Sequence, residues 1–280
     1  MKIPKSQITA FVKNALAEDI GSGDITTNVI VPERTLARGA IVLEEDAVIA
    51  GLEIAEEVFR QLDKDMKFSA AYKDGAKVLK GKVIAKISGK ARPLLTGERT
   101  ALNILQRLSG IAALTNSFVR AVKGTDAKIV DTRKTTPNLR IFEKYAVLMG
   151  GGHNHRFGLY DAVLIKDNHI SIAGGIKKAV AMARQNIPHT MKIEVEAKSL
   201  KEVKDAITAG ADIIMLDNMS IPMMKKAVAM INKKAVVEAS GNINLKNVRD
   251  VALTGVDIIS IGALTHSYKA VQMSMNIEKV

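Results

Sequence analysis

The sequence contains no cysteine and no tryptophan, and only 4% of its 280 residues are aromatic. The absence of cysteine excludes disulfide bonds, thiolate metal sites and a cysteine nucleophile, and it fits a reducing compartment. The low aromatic content argues against a protein that binds single-stranded nucleic acid, because such proteins stack the bases on aromatic rings.

Long hydrophobic segments are missing as well. The first twenty residues carry charges at Lys2, Lys5, Lys13, Glu18 and Asp19, so they hold no signal-peptide core. No uncharged apolar run reaches the length that spans a bilayer. From these absences we expect a soluble cytoplasmic protein with no membrane partner.

Acidic residues are outnumbered by basic ones: 29 Asp and Glu face 41 Lys and Arg, which gives a net charge of +12. Such a surplus indicates an anionic partner, which could be nucleic acid, a membrane surface or a small polyanion. The chain has no basic run of five to eight residues of the kind that marks nucleic-acid patches. Its hydrophobic content of 47% supports an ordinary core, in one large domain or two modest ones.

The pattern of apolar residues changes along the chain. The first part combines short strand candidates with helices expected over 6–18, 52–62 and 94–122, the last of which Gly110 could interrupt; this indicates an α+β domain. Beyond Gly124, strand-like runs alternate with helical stretches, as in βα units. These runs are 128–130, 162–165, 192–195, 212–216, 235–237 and 257–261.

Six such strands predict an α/β fold with an open, incomplete (β/α) barrel. A doubly wound sheet is the alternative fold. The sequence has neither a dinucleotide-binding glycine fingerprint nor a Walker A loop, which weakens the nucleotide-binding versions of that alternative.

Polar residues follow each apolar run, where the strands of a parallel barrel end and present an active site. Arginine and lysine at these positions suit a substrate with several carboxylates or phosphates, since guanidinium binds such groups through two hydrogen bonds at once. The residues in question are Asp131 with Arg133 and Lys134, then Lys166, Glu196, Asp217 with Asn218, Glu238 with Ser240 and Gly241, and Gly262.

Two of these positions leave alternatives open. Glu196 and Asp217 could hold Mg²⁺, or they could form a salt-bridged pair that neutralises Lys166. The turn that begins at Ser240, followed by a helix expected from Leu245, could be an anion-binding nest or a plain β-to-α turn. Barrel enzymes favour phosphate sites after their last strands, which supports the nest.

Hydrolase chemistry is a weaker interpretation. His153 and His155 could suggest a zinc site, but Arg156 adjoins them and its charge raises the cost of placing Zn²⁺ there. The chain also lacks a His-Glu-x-x-His helix and the Gly-x-Ser-x-Gly elbow of serine hydrolases.

Several longer motifs extend over nearly the whole chain. They are Asp-Thr-Arg-Lys-Thr-Thr-Pro (131–137), Gly-Gly-Gly-His-Asn-His-Arg (150–156), Leu-Ile-Lys-Asp-Asn-His (164–169), Glu-Val-Glu (194–196), Met-Leu-Asp-Asn (215–218), Glu-Ala-Ser-Gly (238–241) and Gly-Ala-Leu-Thr-His-Ser (262–267). Together they resemble the quinolinate phosphoribosyltransferase family, the carboxylating nicotinate-nucleotide pyrophosphorylases. The resemblance implies an N-terminal α+β domain over 1–112, an incomplete barrel over 113–267 and a final segment, 268–280, that returns to the first domain.

The resemblance also implies a reaction. Quinolinate and phosphoribosyl pyrophosphate would give nicotinate mononucleotide, pyrophosphate and CO₂, a step of NAD biosynthesis, with Mg²⁺ as the ion. One alternative is a related enzyme of a molybdate locus that acts on another substrate. A basic nucleic-acid-binding protein is a less favoured alternative, because Glu196 and Asp217 would repel phosphate unless a metal intervened.

Site roles follow from the same resemblance, residue by residue. The pyridine carboxylates would be held by Arg99, Arg133, His155 and Arg156; Lys134 and Lys166 would face the phosphates or the departing carboxylate; Glu196 and Asp217 would bind Mg²⁺ or ribose hydroxyls; and Ser240, Gly241 and Gly262 would cradle the 5′-phosphate, with His266 nearby. The catalytic members of this set would be Lys134, Lys166, Glu196 and Asp217.

Two of the implied features concern single positions. Arg99 would come from the neighbouring subunit, so a homodimer with shared active sites is expected, with a hexamer as a higher assembly. The family pattern usually has a second glycine after Ser-Gly, where this chain has Asn242. Asparagine tolerates left-handed backbone angles better than most residues, so the loop is expected to keep its form.

Overall fold

In the computed structural model, which describes residues 2–280, the chain divides into two compact units. The first contains the chain up to Asn116, with Ile141–Gly151 and Tyr268–Val280, and the second contains Ser117–Arg140 and Gly152–Ser267. The sequence-based boundaries at 112/113 and 267/268 assigned 141–151 to the barrel instead.

The segment 141–151 belongs with the first unit because its side chains pack there. The ring of Phe142 lies 4.4 Å from that of Phe11, centroid to centroid. The hydroxyl of Tyr145 donates a hydrogen bond of 2.7 Å to Asp74. These contacts are made by side chains distant in sequence, and a boundary placed by strand pattern alone does not detect them.

The two units differ in the order of their helices and strands. In chain order they are α1 (Lys5–Ile20), α2 (Ile25–Ile30), β1 (Leu36–Leu43), β2 (Ala47–Val48), α3 (Leu52–Leu62), β3 (Lys67–Ala70), β4 (Lys77–Val78), β5 (Val83–Lys90), α4 (Ala91–Ala121), β6 (Lys128–Val130), α5 (Arg140–Met149), β7 (Val163–Ile165), α6 (Asp167–Ala173), α7 (Ile176–Asn186), β8 (Ile193–Ala197), α8 (Leu200–Ala209), β9 (Ile213–Asp217), α9 (Ile221–Ile231), β10 (Val236–Ser240), α10 (Val248–Ala252), β11 (Ile258–Ser260), α11 (Ala263–His266) and β12 (Met273–Lys279). Within residues 2–280, no helix combines the length and the apolar character needed to cross a membrane.

The first unit is built on a four-stranded antiparallel sheet with the order β12-β1-β5-β3. Helix α1 buries Ile8, Val12 and Leu16, which lie four residues apart on one face of the helix, as the amphipathic pattern predicts. β12 pairs with β1 from Ala37 opposite Lys279 to Leu43 opposite Met273, so the end of the chain is an integral strand of this unit.

Helix α4 runs through Gly110 without a break, so the interruption expected there does not occur. A Cβ atom at Gly110 would lie 2.3 Å from the backbone oxygen of Lys269. Just beyond that point, the Val271 amide donates a 3.0 Å hydrogen bond to the Gln106 carbonyl. Glycine is needed at 110 because the C-terminal segment lies directly against the helix.

The second unit contains a six-stranded parallel sheet with the order β6-β11-β10-β9-β8-β7. From β7 to β11 the neighbours follow the chain order, and β6 then lies beside β11, as in a barrel and unlike the reversed order of a doubly wound sheet. β6 and β7 are not paired with each other, and β6 instead forms a single bridge from Val130 to His153 on its outer side. The barrel is therefore open, which confirms the incomplete (β/α) barrel and excludes the doubly wound alternative.

Candidate active site

A pocket of about 740 Å³ lies in the second unit, at the C-terminal ends of the barrel strands. Among its lining residues are Arg133, Lys134, His155, Arg156, Lys166, Glu196, Asp217, Ser240, Gly241, Gly262 and His266. These are the residues that the sequence singled out, apart from Arg99. Arg99 lies on α4 in the first unit, with an exposed side chain.

The loop after β6 is held by hydrogen bonds to the backbone amide and to the carbonyl of Lys134. The Lys134 amide donates to the Thr132 hydroxyl over 3.0 Å, and the Lys134 carbonyl accepts from Thr265 Oγ1 over 2.8 Å. Asp131, which is fully buried, accepts from the backbone amide of His155 over 2.9 Å. The end of β6 and the segment that carries His155 are thereby fixed to one another.

Arg156 lies half-buried beside a second guanidinium. Its Nη1 donates a 3.0 Å hydrogen bond to the Ala162 carbonyl. Burial lowers the pKa of Arg156, and the positive charge of Arg133 lowers it further, while the nearby acids Glu194 and Asp161 oppose that shift. Two guanidinium groups close enough to repel each other favour an anion that contacts both.

Two buried carboxylates lie next to the imidazole of His155. Its Nε2 is 3.1 Å from Glu194 Oε2 and 3.6 Å from Glu238 Oε2. The other oxygen of each carboxylate is buried and has no hydrogen-bond partner within the described part of the chain. The pKa of Glu238 is raised to about 7, chiefly by burial and then by the charge of Glu194, while His155 opposes the rise.

The ligand-type atoms of His155, Glu194 and Glu238 lie within 4.8 Å of one another, so their spacing would admit a metal ion. A set that includes imidazole suits zinc or another transition metal better than Mg²⁺. In a pocket that also contains Arg133 and Arg156, the two acids provide negative charge next to the cations. We interpret the cluster as a source of negative charge that balances the cations Arg133 and Arg156.

Glu196 is the penultimate residue of β8, and Asp217 is the last residue of the neighbouring strand β9. Burial raises the pKa of Glu196; Lys166, whose Nζ is 3.7 Å from Glu196 Oε2, opposes this, and the charge of Asp217 raises the pKa again. The two carboxylates are therefore close enough to repel. Carboxylate oxygens are the ligands that Mg²⁺ prefers, and an ion beside both would relieve the repulsion, so the residues present fit the ion.

The turn after β10 exposes backbone amides to the pocket. Gly241 and Asn242 have left-handed backbones, with φ of 94° and 52°. Over the described residues, the amides of Gly241, Asn242 and Ile243 donate to no other backbone or side-chain group, and all three residues line the pocket. Successive free amides of this kind can bind an anion.

The helix expected from Leu245 is present but begins three residues later, at Val248, and has five residues. Asparagine side chains in the preceding loop compete for the backbone: the amide of Asn244 donates to Asn247 Oδ1 over 2.8 Å. Such local bonds favour a turn over a helix. The loop amides, and not a helix dipole, are therefore the groups that could attract a phosphate.

The last strand leads into a tightly packed glycine. A Cβ atom on Gly262 would lie 2.9 Å from Lys134 Cδ and 3.1 Å from His266 Nε2. A larger residue at 262 would displace the side chains of Lys134 and His266, both of which line the pocket. His153, by contrast, is exposed and lies outside the lining, so it does not join His155 there.

Some pocket residues received no role from the sequence. Glu238 and Asn218 are the main ones, and both were noted only as strand-end residues. Glu194, whose carboxylate contacts His155 behind the pocket lining, received no role either. A signal for Glu194 was present, since it lies two residues before Glu196, and side chains at i and i+2 of a strand point to the same face. Two acids with this spacing in an otherwise apolar strand indicate a functional face.

An open parallel barrel with a cationic pocket at its strand ends defines an enzyme of the barrel class that binds small anions. Two family models match the chain: the N-terminal domain of quinolinate phosphoribosyl transferase over residues 24–109, and the C-terminal domain of the same enzyme over residues 111–276. The chain belongs to the quinolinate phosphoribosyltransferase family.

Individual relatives match along almost their whole length. A probable carboxylating nicotinate-nucleotide pyrophosphorylase of Bacillus subtilis is 44% identical over 97% of this chain and 93% of its own length. The corresponding protein of Methanocaldococcus jannaschii is 42% identical over 98% of both. The crystal structure of NadC from Streptococcus pyogenes is 42% identical and superposes with a TM-score of 0.96, covering 100% of this chain and 99% of that one.

Proposed function

We infer that this protein transfers a phosphoribosyl group from phosphoribosyl pyrophosphate to quinolinate, with loss of CO₂. The products are nicotinate mononucleotide and pyrophosphate, and the reaction is a step of NAD biosynthesis. The observation that carries this inference is the single pocket in which arginines, lysines and a histidine surround two strand-end carboxylates, in a chain whose relatives are named as carboxylating nicotinate-nucleotide pyrophosphorylases.

Quinolinate would bind where the guanidinium groups of Arg133 and Arg156 repel each other. Each of its two carboxylates can accept a pair of hydrogen bonds from a guanidinium, and the bound dianion would remove the repulsion. His155 lies in the same region of the pocket, where its imidazole contacts the carboxylate of Glu194. These residues would fix the ring so that its nitrogen faces the sugar donor.

The phosphoribosyl donor would occupy the other side of the pocket. The free amides of Gly241 to Ile243, with Ser240 and Gly262, would hold its 5′-phosphate, and His266 would lie nearby. Lys134 and Lys166 would face the pyrophosphate or the carboxylate that is lost.

Mg²⁺ would be held by Glu196 and Asp217, whose mutual repulsion the ion would relieve. When bound, it supplies positive charge to the pyrophosphate as that group leaves. The two carboxylates also place negative charge beside the ribose carbon, where positive charge develops in the transition state.

Catalysis would depend mainly on charge placement and positioning and little on covalent chemistry by the protein. Once the ring nitrogen carries the ribose, its positive charge withdraws electrons from the neighbouring carboxylate bond. Arg133 and Lys166 would hold the ring and the reacting groups while CO₂ departs.

Arg99 would complete the quinolinate site from the partner subunit of a homodimer, in which each first unit serves the barrel of the other chain. A hexamer of such dimers is a possible higher assembly. The cytoplasmic location expected from the composition stays a prediction.

The direct test is an assay of the purified protein with quinolinate, phosphoribosyl pyrophosphate and Mg²⁺, with detection of nicotinate mononucleotide. Arg133→Ala should lower turnover by orders of magnitude, since it removes a charged group that would contact the substrate. Arg34→Ala, at an exposed position of the first unit, is the matched control and should keep full activity. Formation of CO₂ from quinolinate at an unchanged rate in Arg133→Ala would remove this residue from the site.

A further inference from the structure

Two asparagines with left-handed backbones face each other across the ends of β9 and β10. Asn218 follows Asp217 and has φ of 53°, and Asn242 follows Gly241 and has φ of 52°. The Nδ2 of Asn242 donates a 2.9 Å hydrogen bond to the Oδ1 of Asn218. Both residues line the pocket.

Each asparagine is also tied to its surroundings. The backbone amide of Asn218 donates to the Ser240 carbonyl, and its Nδ2 donates to Asp217 Oδ1, each over 2.9 Å. The carbonyl of Asn242 accepts a 3.1 Å hydrogen bond from Asn247 Nδ2. A continuous set of hydrogen bonds thus connects the Asp217 carboxylate to the loop after β10.

The side-chain amide of Asn218 also restricts which residue can stand at position 241 of the turn. A Cβ atom on Gly241 would lie 2.3 Å from Asn218 Oδ1, so the side chain of Asn218 lies directly over the loop backbone. Glycine at 241 permits this approach and also the positive φ. At 242 the left-handed backbone is adopted by a residue with a side chain, and that side chain makes the bond to Asn218.

We propose that Asn218 and Asn242 are positioning residues whose side-chain hydrogen bond holds the loop over 240–243 in the conformation that presents its amides to the phosphate of the sugar donor. The proposal rests on the proposed function, since it specifies how that site binds one of the two substrates. The bond also couples the loop to Asp217, so the phosphate end and the ribose end of the donor are placed by one connected structure. Quinolinate, which would bind on the opposite side of the pocket, should be little affected.

The test compares Asn242→Gly, Asn218→Gly and the double variant, since glycine keeps the left-handed backbone at both positions. Asn242→Gly keeps the backbone freedom of the turn and removes only the bond. Because a neutral hydrogen bond is worth a small net free energy, we expect each single variant to raise the KM and the Kd for phosphoribosyl pyrophosphate by roughly 3- to 10-fold. The KM for quinolinate should stay within about twofold. The double variant should be little worse than the more affected single variant, because both remove the same bond.

Asn186→Ala is the matched control, since Asn186 is an exposed asparagine that donates only to the Met182 carbonyl one turn earlier in α7. It should leave both KM values unchanged. Equal increases in the two KM values, or single effects that multiply in the double variant, would overturn the proposal, and so would an unchanged Kd for the donor in Asn242→Gly.

Direct binding by calorimetry separates this proposal from the proposed function. A wild-type protein that binds the donor but forms no nicotinate mononucleotide would refute the function, while the Kd values would still decide the role of the asparagines. A wild-type protein that does not bind the donor would refute both.

Discussion

Glu238 shows how a single buried side chain gains an unusual charge state. It is 1% exposed in the interior of β10. The pKa of its carboxyl is raised from 4.5 to about 7 by burial and by the charge of Glu194, against the opposing effects of His155, Ser260 and Lys166. The folded protein therefore binds a proton that the unfolded chain has already released at the same pH. Stability from this group is fully present below pH 4.5 and is lost as the pH rises towards 7.

Replacing Glu238 with glutamine should remove this pH dependence. We expect the variant to gain stability relative to the wild type between pH 5 and pH 8, by on the order of 1–3 kcal/mol, because glutamine has no proton to lose. Urea unfolding of both proteins at a series of pH values measures the difference. Glu33→Gln, at an exposed position, is the control, and stability curves that stay parallel for Glu238→Gln and wild type would contradict the expectation.

At this scale the sequence predicted the cations better than the buried acids. Arg133, Lys134 and Lys166 directly follow apolar runs, and their charge at strand ends already indicates a polyanion site. Glu194 lies within a strand, where its direction depends on which face of the sheet is lined by the pocket. Its spacing from Glu196 indicates that the two acids share a face, but the contact of Glu194 with His155 follows only from the folded structure.

Among the elements, helices with long apolar stripes were predictable and short ones were not. The helices expected over 6–18 and 52–62 are present as α1 and α3. Short helices such as α6 (Asp167–Ala173) follow directly after strands, and α6 has no buried residue. Its sequence shows no apolar periodicity. Tertiary contacts and capping stabilise this helix instead.

Gly110 gives the element-scale prediction. An alanine there would force the carbonyl of Lys269 away from α4, because the added Cβ would lie 2.3 Å from that oxygen. We expect Gly110→Ala to lower the free energy of unfolding by roughly 1–3 kcal/mol, the usual cost of overpacking, although alanine favours helix more than glycine does.

Thermal or urea unfolding of the purified variant measures this loss. Asn103→Ala, at an exposed position of the same helix, is the matched control and should be neutral or slightly stabilising. A Gly110→Ala protein more stable than the wild type would show that the C-terminal segment moves aside without cost.

For the whole molecule, the strand pattern indicated the barrel and the strand-end residues indicated a site for a polyanion, while the reaction was implied by the resemblance of the motifs to the quinolinate phosphoribosyltransferase family. An assembly is a different kind of property. The surface that would join two copies is made of side chains that a single chain exposes, so apolar periodicity does not mark it. Arg99, exposed on α4, is the residue through which the expected sharing of active sites can be tested.

Complementation between two inactive variants is that test. Arg99→Ala and Lys166→Ala should each be nearly inactive as homodimers, because every site lacks one cation. In a hybrid dimer, one site would combine the intact Arg99 of one subunit with the intact Lys166 of the other. Random exchange of equal amounts makes half of the dimers hybrid, so the mixture should regain about a quarter of the wild-type activity.

The matched control mixes Lys134→Ala with Lys166→Ala. Both residues line the same pocket of one chain, so every site of a hybrid dimer still lacks one lysine and no activity should return. Subunit exchange is verified by native mass spectrometry with one variant isotopically labelled. If hybrids form and the Arg99→Ala mixture stays inactive, each chain must supply its own Arg99, since a site shared between subunits requires recovery in one half of every hybrid.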